Sequence, residues 1–372
     1  GCFAVARRVA PVVAEQAAGG CPGNSMIDVC VIFGGQSSEH SISCLSAASV
    51  LAALDRAKYR VAAVGITRAG AWYRVSDDPA DWARDRDRLP EVVAVGEPIS
   101  LTDIGGDVVF PVLHGPFGED GTIQGALELL GLPYVGSGVL ASALTMDKQA
   151  TKLMLAANGL PVGKCVAVTD VDWMSRRDHV LQQVQELELP VFVKPARAGS
   201  SVGITKVKSL DRLAAAVEVA REQDRKVIVE ESVEQAREIE CGVLAERGYA
   251  SARASVCAEI KVSQAHEFYD FAAKYLDDSA TLTVPADIPE ALEKELGDIA
   301  VRAFTALGAD GLARVDFFVA PTGEIVINEI NTMPGFTSIS MFPRMWQASG
   351  LSYPELVDHL IAVALDRGPG MR

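Results

Sequence analysis

The stretch Gly311 to Ser340 reads GLARVDFFVAPTGEIVINEINTMPGFTSIS, and the rest of the chain is organised around it. Two runs rich in Val, Ile and Phe, Leu312 to Val319 and Ile325 to Asn331, flank the turn residues Pro321, Thr322 and Gly323, which predicts a β-hairpin. Side chains two apart on a strand share a face, so Arg314 joins Asp316 and Glu329 joins Asn331. Folding about the Thr322/Gly323 bond sets Asp316 opposite Glu329 and Arg314 opposite Asn331, at the roughly 4.5 to 5.5 Å that separates opposed strand residues. Two carboxylates that close repel unless a cation lies between them or one is protonated. On a solvated sheet face they would ignore each other. Here Val315, Phe317, Val326, Ile327 and Ile330 mark a core hairpin with one polar stripe, where an uncompensated carboxylate costs several kcal/mol. Two carboxylates and an amide make a hard oxygen donor set, of the kind that holds Mg²⁺ together with phosphate oxygens.

At 372 residues the chain exceeds one comfortable core, so two or three domains are expected. Apolar content of 49% with charged content of 22% fits a globular protein, and no apolar run reaches the ~18 residues of a membrane span. The net charge of −15 argues against a nucleic-acid surface and leaves any anionic ligand to a few local lysines. Seven cysteines without CxxC or Cys/His spacing indicate neither a disulfide framework nor a zinc site, and the reducing cytoplasm is the expected compartment. Residues 1–25, GCFAVARRVAPVVAEQAAGGCPGNS, make a poor secretory signal and a poor strand. Met26 is therefore expected to be the functional start, the preceding segment reading as a vector-derived or upstream artefact, non-native or disordered.

In chain order, Ile27 to Phe33 is a buried strand that runs into Gly34-Gly35 and a helix-like segment with Glu39, His40 and Ser41, the opening unit of an open α/β domain. GGxSxE is not the dinucleotide fingerprint. A helix is expected at Ser46 to Leu54, and strands at Val61 to Ile66 and Val108 to Leu113. Glu39 and His114 stand at strand ends beside glycine, where open sheets place ligands. Taken singly, Glu39 also reads as a helix N-terminal carboxylate and His114 as a structural hydrogen-bonding residue. A helical pattern runs from Leu144 through Lys148, Lys152 and Leu155 to the stop signal Asn158-Gly159, and a domain boundary is placed at its start. Leu189 to Lys194, the loop 195–203 and Ile204 to Val207 read as strand, Gly/Ser loop and strand. The arrangement lacks the GK[ST] of a P-loop and resembles a phosphate-covering glycine loop by analogy alone. A helix near Leu210 to Arg221 precedes the alternating strand Lys226 to Glu230, an edge of the kind that offers backbone groups to an adenine and a nearby acid, Glu238, to ribose hydroxyls; composition alone does not show that. Ala258 to Lys274 reads as a long, strand-poor loop of the kind that forms lids. Ser340 precedes a helix from about Pro343, as a plain N-cap or as part of a carboxylate site.

The segments FGGQSSEHSIS, HGPFGEDGTIQG, MDKQATK, VKPARAGSSVG, YDFAAKY, RVDFF and INEINTMPGFTSIS occur in this order. Together they make the chain resemble the D-alanine:D-alanine ligases of the ATP-grasp superfamily from about Ile27 to the C-terminus. The resemblance implies a mixed α/β and α+β protein: an open α/β substrate domain at 26–143, then a two-part ATP-grasp fold with a central subdomain at 144–236 and a catalytic subdomain at 237–372. It implies that Lys148, Lys194 and Ser201 contact ATP phosphates, while Glu230, the backbone of Glu231 and Val233, and Glu238 hold the nucleoside. Asp316, Glu329 and Asn331 would bind two Mg²⁺ ions, with Mn²⁺ as a substitute and a monovalent cation as a further ion. Glu39 would take the ammonium of the first D-alanine and, with Ser200 and Tyr275, close a lid. His114, Lys274, Ser340 and Met341 would line the substrate site, with Lys274 and Ser340 on the second carboxylate. Arg314 and the Gly335 N–H would stabilise the oxyanion.

The activity implied is ATP-dependent synthesis of D-alanyl-D-alanine for peptidoglycan precursors through a D-alanyl phosphate, by a homodimer in the cytoplasm without nucleic-acid or membrane partners. The alternative is a D-alanine:D-lactate ligase or another ATP-grasp carboxylate:amine ligase. Tyr275 favours the dipeptide, since the lactate-joining relatives depart from this pattern in the lid. One departure stands out: the spacing from Glu230 to Glu238 is about one residue longer than in the family pattern, around Gln235.

Overall fold

The computed structural model describes residues 26–84, 88–199, 202–249, 251–262 and 280–369. Ser200, Ser201, Lys274, Tyr275 and the segment 1–25 lie outside them, so the expectations attached to these residues stay at the level of sequence.

Three sheets carry the architecture. The first holds β1 (Ile27–Gly34), β2 (Tyr59–Ile66), β3 (Trp72–Val75) and β4 (Val108–Val112) in the order β3-β2-β1-β4. β1 is parallel to β2 and β4, and β3 returns antiparallel on β2. The apolar run Ile27–Phe33 forms the central strand because both of its faces are covered. At its end the chain passes through Gly34 at φ +91, where a Cβ would lie 2.3 Å from the Ile66 carbonyl oxygen, so only glycine fits. Helix α1 (His40–Ala53) follows and begins six residues earlier than the apolar pattern indicates. Its first turn is tied down by polar groups: His40 Nδ1 meets Gly35 O at 2.7 Å, and Ser43 Oγ accepts the Gly34 N–H at 2.8 Å. Helix α2 (Thr122–Leu130) supports Cys30, Ile32 and Val109 through Ile123 and Leu127.

Between the first and second sheets run α3 (Val139–Met146) and α4 (Lys148–Ala157). The single helical pattern expected from Leu144 onward is broken at Asp147, whose extended backbone ends α3 and whose carboxylate accepts the Ala150 N–H to cap α4. The second sheet is antiparallel, with β5 (Cys165–Thr169), β6 (Val191–Pro195), β7 (Thr205–Val207) and β8 (Lys226–Glu231) in the order β5-β8-β6-β7. Val168, Val191, Val193, Val227 and Val229 bury one face of it against α5 (Asp170–Ser175), α6 (Arg177–Val184) and α7 (Leu213–Arg221). β8 is therefore an interior strand and not the edge expected from its sequence. Alternation of apolar and polar residues reports a face, and says nothing about which neighbours a strand acquires.

The third sheet is also antiparallel, in the order β11-β10-β9-β12-β13. Its strands are β9 (Arg237–Leu244), β10 (Arg253–Val262), β11 (Ala280–Thr283), β12 (Leu312–Val319) and β13 (Ile325–Asn331). Ala258 to Val262 thus belongs to a strand where a loop was expected. Glu259 disguised it, a buried carboxylate whose charge is met by the Arg237 guanidinium through bonds of 2.7 and 2.8 Å. Helix α8 (Glu290–Ala306) packs Leu296, Ala300, Ala303 and Phe304 on the apolar side of this sheet. The chain ends in α9 (Met341–Ala348) and α10 (Tyr353–Arg367). Phe342 and Trp346 of α9 and Leu356, Val357, Leu360 and Ile361 of α10 share one core with Val29, Val31, Phe33 and Phe110. The first sheet is thereby closed by the C-terminus of the chain.

The hairpin forms with the bounds its sequence predicts. Its register needs two adjustments that cancel. Near the turn Phe317 faces Ile327 and Val319 faces Ile325, which centres the turn on Thr322. A bulge between Asp316 and Phe317 then restores Asp316 opposite Glu329 and Arg314 opposite Asn331. In the connection from β8 to β9, Gln235 is held at φ +56. Among the described residues no helix is long and apolar enough to cross a membrane, and Cys30, Cys44, Cys165, Cys241 and Cys257 are free thiols.

Candidate active site

A cavity of about 1080 Å³ opens where the first sheet, the α3/α4 corner and the third sheet meet. Glu39, His114 and Glu119 line it from the first sheet. Lys148 lines it from α4 and Gly199 from the loop after β6, and Glu240, Arg314, Glu329, Asn331, Gly335, Ser340 and Met341 from the third sheet and the segment that follows it. Its size suits a small-molecule site.

Glu39 precedes α1 but does not cap it with its side chain. The carboxylate instead reaches between two glycines: a Cβ on Gly115 would lie 2.9 Å from Glu39 Oε2, and one on Gly199 would lie 3.4 Å away. Gly115 sits at φ +75 just past β4, so the strand end leaves room for the acid, and the glycine loop after β6 closes on it. The reading of Glu39 as a helix-terminal charge alone is thereby set aside. His114 is 4% exposed, with Nδ1 3.0 Å from Met333 O and Nε2 2.9 Å from Ser46 Oγ. A carbonyl only accepts, so Nδ1 carries the proton and Nε2 accepts from the serine. Burial holds the imidazole pKa below its usual value, outweighing the charge of Glu39. His114 therefore acts on the cavity as a neutral clamp joining α1 to the Met333-Pro334-Gly335 turn.

On the polar face of the third sheet, Glu240 of β9, Asp316 of β12 and Glu329 of β13 stand in register across three adjacent strands. The hairpin argument asked for a cation between acids, and the chain supplies one. Arg314 donates Nε–H to Asp316 Oδ1 and Nη2–H to Asp316 Oδ2, both at 2.7 Å, and its Nε lies 3.2 Å from Glu240 Oε1. Asn331 Nδ2 donates to Asp316 Oδ2 at 3.0 Å. Burial would lower the guanidinium pKa, yet the charges of Asp316 and Glu240 raise it well above the ordinary value. Among the described residues no three His, Cys, Asp or Glu side chains converge as a metal site. Asp316, Glu329 and Asn331 give two carboxylates and an amide, which fits a hard divalent ion once phosphate oxygens complete its shell.

Ser340 precedes α9 without capping it. Its hydroxyl accepts the Thr337 N–H at 3.1 Å and pairs with Thr337 Oγ1 at 2.7 Å, and a Cβ on Gly335 would lie 3.2 Å from it. Gly335 and Ser340 thus face the cavity side by side. Lys148, the first residue of α4, donates Nζ–H to Ala198 O of the glycine loop at 2.8 Å.

The expected nucleoside and phosphate residues are not all brought to the cavity. Lys194, Glu230, Glu231, Val233, Glu238 and Asp316 do not line it. Lys194 and Glu230 are ion-paired on the face of the second sheet that carries Phe192 and Ile228. The Glu231 and Ser232 N–H groups donate to Lys164 O at 3.1 Å and Pro190 O at 3.0 Å, so the Glu231 N–H is already engaged. Glu238 shares the polar face of β9 with Glu240.

Three acidic or basic groups were missed in the sequence. Glu119 accepts the Gly115 N–H at 3.1 Å, and burial, followed by the charge of Glu39, pushes its pKa well above the carboxylate range. Glu240 anchors Arg314. Lys152 pairs with Glu230. HGPFGEDG and MDKQATK contained the first and last of these, but spacing within a motif does not say where a side chain meets another element.

Comparison with known proteins agrees with this geometry. Residues 28–137 match the family model described as D-ala D-ala ligase N-terminus, and residues 154–362 that described as D-ala D-ala ligase C-terminus. A D-alanine--D-alanine ligase of Arthrobacter sp. is 51% identical over 372 residues, covering 94% of this chain and 97% of the relative. One from Kineococcus radiotolerans is 52% identical over 370 residues, covering 92% and 98%. Among solved structures, the VanG D-Ala:D-Ser ligase from Enterococcus faecalis superposes with a TM-score of 0.79 at 38% identity, covering 91% of this chain and all of that one. The D-alanine-D-alanine ligase from Coxiella burnetii gives 0.76 at 38% identity, covering 92% and 94%. A sequence match over both halves and a shared fold place this chain in the D-alanine–D-alanine ligase family, of ATP-grasp architecture.

Proposed function

We infer that the chain is an ATP-dependent ligase that joins two molecules of D-alanine into D-alanyl-D-alanine, a cell-wall precursor. One observation carries the reading: an acid for an ammonium, Glu39, and a donor pair for a carboxylate or oxyanion, Arg314 and Gly335, face one cavity that Glu329 and Asn331 of the hairpin also line.

A carboxylate is a poor electrophile, so its activation comes first. A carboxylate oxygen of the first D-alanine attacks the γ-phosphorus of ATP, the bond to the β-phosphate breaks, and ADP leaves. Lys148 and Lys194 would meet the phosphates, with Ser201 beside them, and Asp316, Glu329 and Asn331 would hold divalent ions. Such an ion, when bound, neutralises charge on the transferring phosphoryl group. The amine of the second D-alanine then attacks the acyl carbon, phosphate leaves, and the amine sheds a proton. Arg314 and the Gly335 N–H would receive the oxyanion, and Ser340, with Lys274, the second carboxylate. Ser200 and Tyr275 would complete the lid over Glu39 and exclude water from the acyl phosphate. In this reading the three sheets correspond to units 26–143, 144–236 and 237–372, and the nucleotide lies between the second and third.

The test is release of ADP by purified protein with Mg²⁺ and D-alanine, D-serine or D-lactate as second substrate. D-alanine is expected to support the fastest turnover. Turnover with D-lactate or D-serine above that with D-alanine would move the assignment within the family, and ATP binding without turnover would leave a nucleotide-binding module.

A further inference from the structure

Glu230 is 5% exposed and lies between two ammonium groups, those of Lys152 and Lys194, which are 4% and 8% exposed. A carboxylate needs one cation to be neutral, so Glu230 alone does not balance both ammonium groups, and the charge of Glu329 also acts on Lys194. An ammonium group this buried is costly in a folded protein unless an acid or anion meets it. The two lysines differ in their supports. Lys194 ends the strand β6 that leads into the glycine loop. Lys152 stands one helical turn after Lys148 on α4, and that helix is fixed by Leu155 in the core beneath the third sheet. Among the described residues Glu230 is the only acid paired with Lys152. The Glu230 carboxylate is confined further by Gly163, where a Cβ would lie 3.2 Å from Oε1.

We propose that Lys152 is a positioning residue for the nucleotide: it keeps Glu230 ionised and aimed at the purine when Lys194 leaves that carboxylate for a phosphate. The idea rests on the reading of Glu230 and Lys194 as nucleotide-binding groups. A carboxylate only accepts hydrogen bonds, so an ionised Glu230 selects the exocyclic amine of adenine over the oxygen of hypoxanthine. Without Lys152, departure of Lys194 would leave a buried charge without a partner, and Lys194 would be held back from the phosphates.

The proposal is tested with Lys152→Met, Lys152→Arg, Glu230→Gln and the Lys152→Met/Glu230→Gln double variant. The readouts are equilibrium titration with ATP and with inosine triphosphate, and steady-state ADP release with D-alanine. Lys152→Met is expected to weaken ATP binding roughly ten- to hundredfold, the loss of one charge-assisted hydrogen bond. Its preference for ATP over inosine triphosphate should fall, its KM for D-alanine should stay unchanged, and Lys152→Arg should recover ATP affinity in part. The double variant should bind ATP as Glu230→Gln does, because the second change then removes nothing further. Unchanged ATP affinity in Lys152→Met, an equal rise in the KM for D-alanine, or losses that add in full in the double variant would each overturn the proposal. If Lys152→Met does not fold, the double variant against Glu230→Gln decides by the same comparison. Wild-type protein that binds ATP but shows no D-alanine-dependent turnover would count against the ligase reading alone, and the titrations would still decide the role of Lys152.

Discussion

Arg314 grips Asp316 through two parallel hydrogen bonds of 2.7 Å from a position two residues earlier on the same strand. The carboxylate read from the sequence as a metal ligand is thus held by an internal cation, and a divalent ion bound there would have to share Asp316 with Arg314 or displace it. Glu240, 3.2 Å from Arg314 on the neighbouring strand, would then give the guanidinium a second anchor.

Glu240→Gln removes the second anchor and ties Arg314 more firmly to Asp316. The Mg²⁺ concentration for half-maximal ADP release is expected to rise by about tenfold, as for a lost charge-assisted hydrogen bond. An unaltered Mg²⁺ dependence would show that Arg314 and the ion do not compete. Chelation with EDTA should abolish turnover in both proteins.

Arg314→Lys keeps a charge but loses the planar fork, so neither the pair with Asp316 nor the donor geometry at the cavity survives. A fall in kcat of about 10² to 10³ is expected, the usual cost of losing an oxyanion donor. The measurement is kcat at saturating ATP and D-alanine, and a change confined to KM would argue for a binding role.

The pH dependence of stability has a sign fixed by burial. His114 and His40 are both held below the usual pKa of 6.5, desolvation being the main cause in each. Below pH 6.5 the unfolded chain takes up protons on these imidazoles that the folded chain refuses, so their contribution to stability falls as pH drops from 6.5 towards the folded-state values, while Glu119, whose folded-state pKa is raised, contributes with the opposite sign. His114→Asn should lower stability at pH 7 and remove one of the two histidine contributions, leaving that of His40 and the opposing one of Glu119. Urea unfolding at a series of pH values reads the slope directly.

Ser340→Ala separates a binding role from a structural one. The side chain does not cap α9, so the loss of stability should stay below the ~1 kcal/mol of a typical lost cap. The KM for the second D-alanine should rise about tenfold if the hydroxyl meets its carboxylate. A large drop in melting temperature with an unchanged KM would assign Ser340 to structure.

Gly34→Ala places a methyl group 2.3 Å from the Ile66 carbonyl oxygen and forces alanine to φ +91. Strain of this kind costs of order 1 to 3 kcal/mol, more if β1 and β2 must part. Chemical unfolding should show a lower midpoint with an unchanged slope.

Much of the site was legible locally. The pairing of Asp316 with Glu329 and of Arg314 with Asn331 was legible because strand periodicity and turn residues act between near neighbours, and a one-residue slip of the hairpin would have turned its apolar side out of the core. Even there the tertiary structure intervened: the turn centres on Thr322, and a bulge restores the pairing. The glycine turns at Gly34 and Gly115 were legible for a similar reason, since backbone sterics are local.

What lay beyond the sequence was partnership between distant elements. The interior place of β8, the strand hidden behind Glu259, the closure of the first sheet by α10, and the meetings of Glu119 with Glu39 and of Lys152 with Glu230 all join residues far apart in the chain. Periodicity shows which face of an element is apolar, but the choice of which faces meet is made by the packing of the whole core. The charges of this site are set by that choice, because a buried acid takes its ionisation state from the neighbours that packing brings to it.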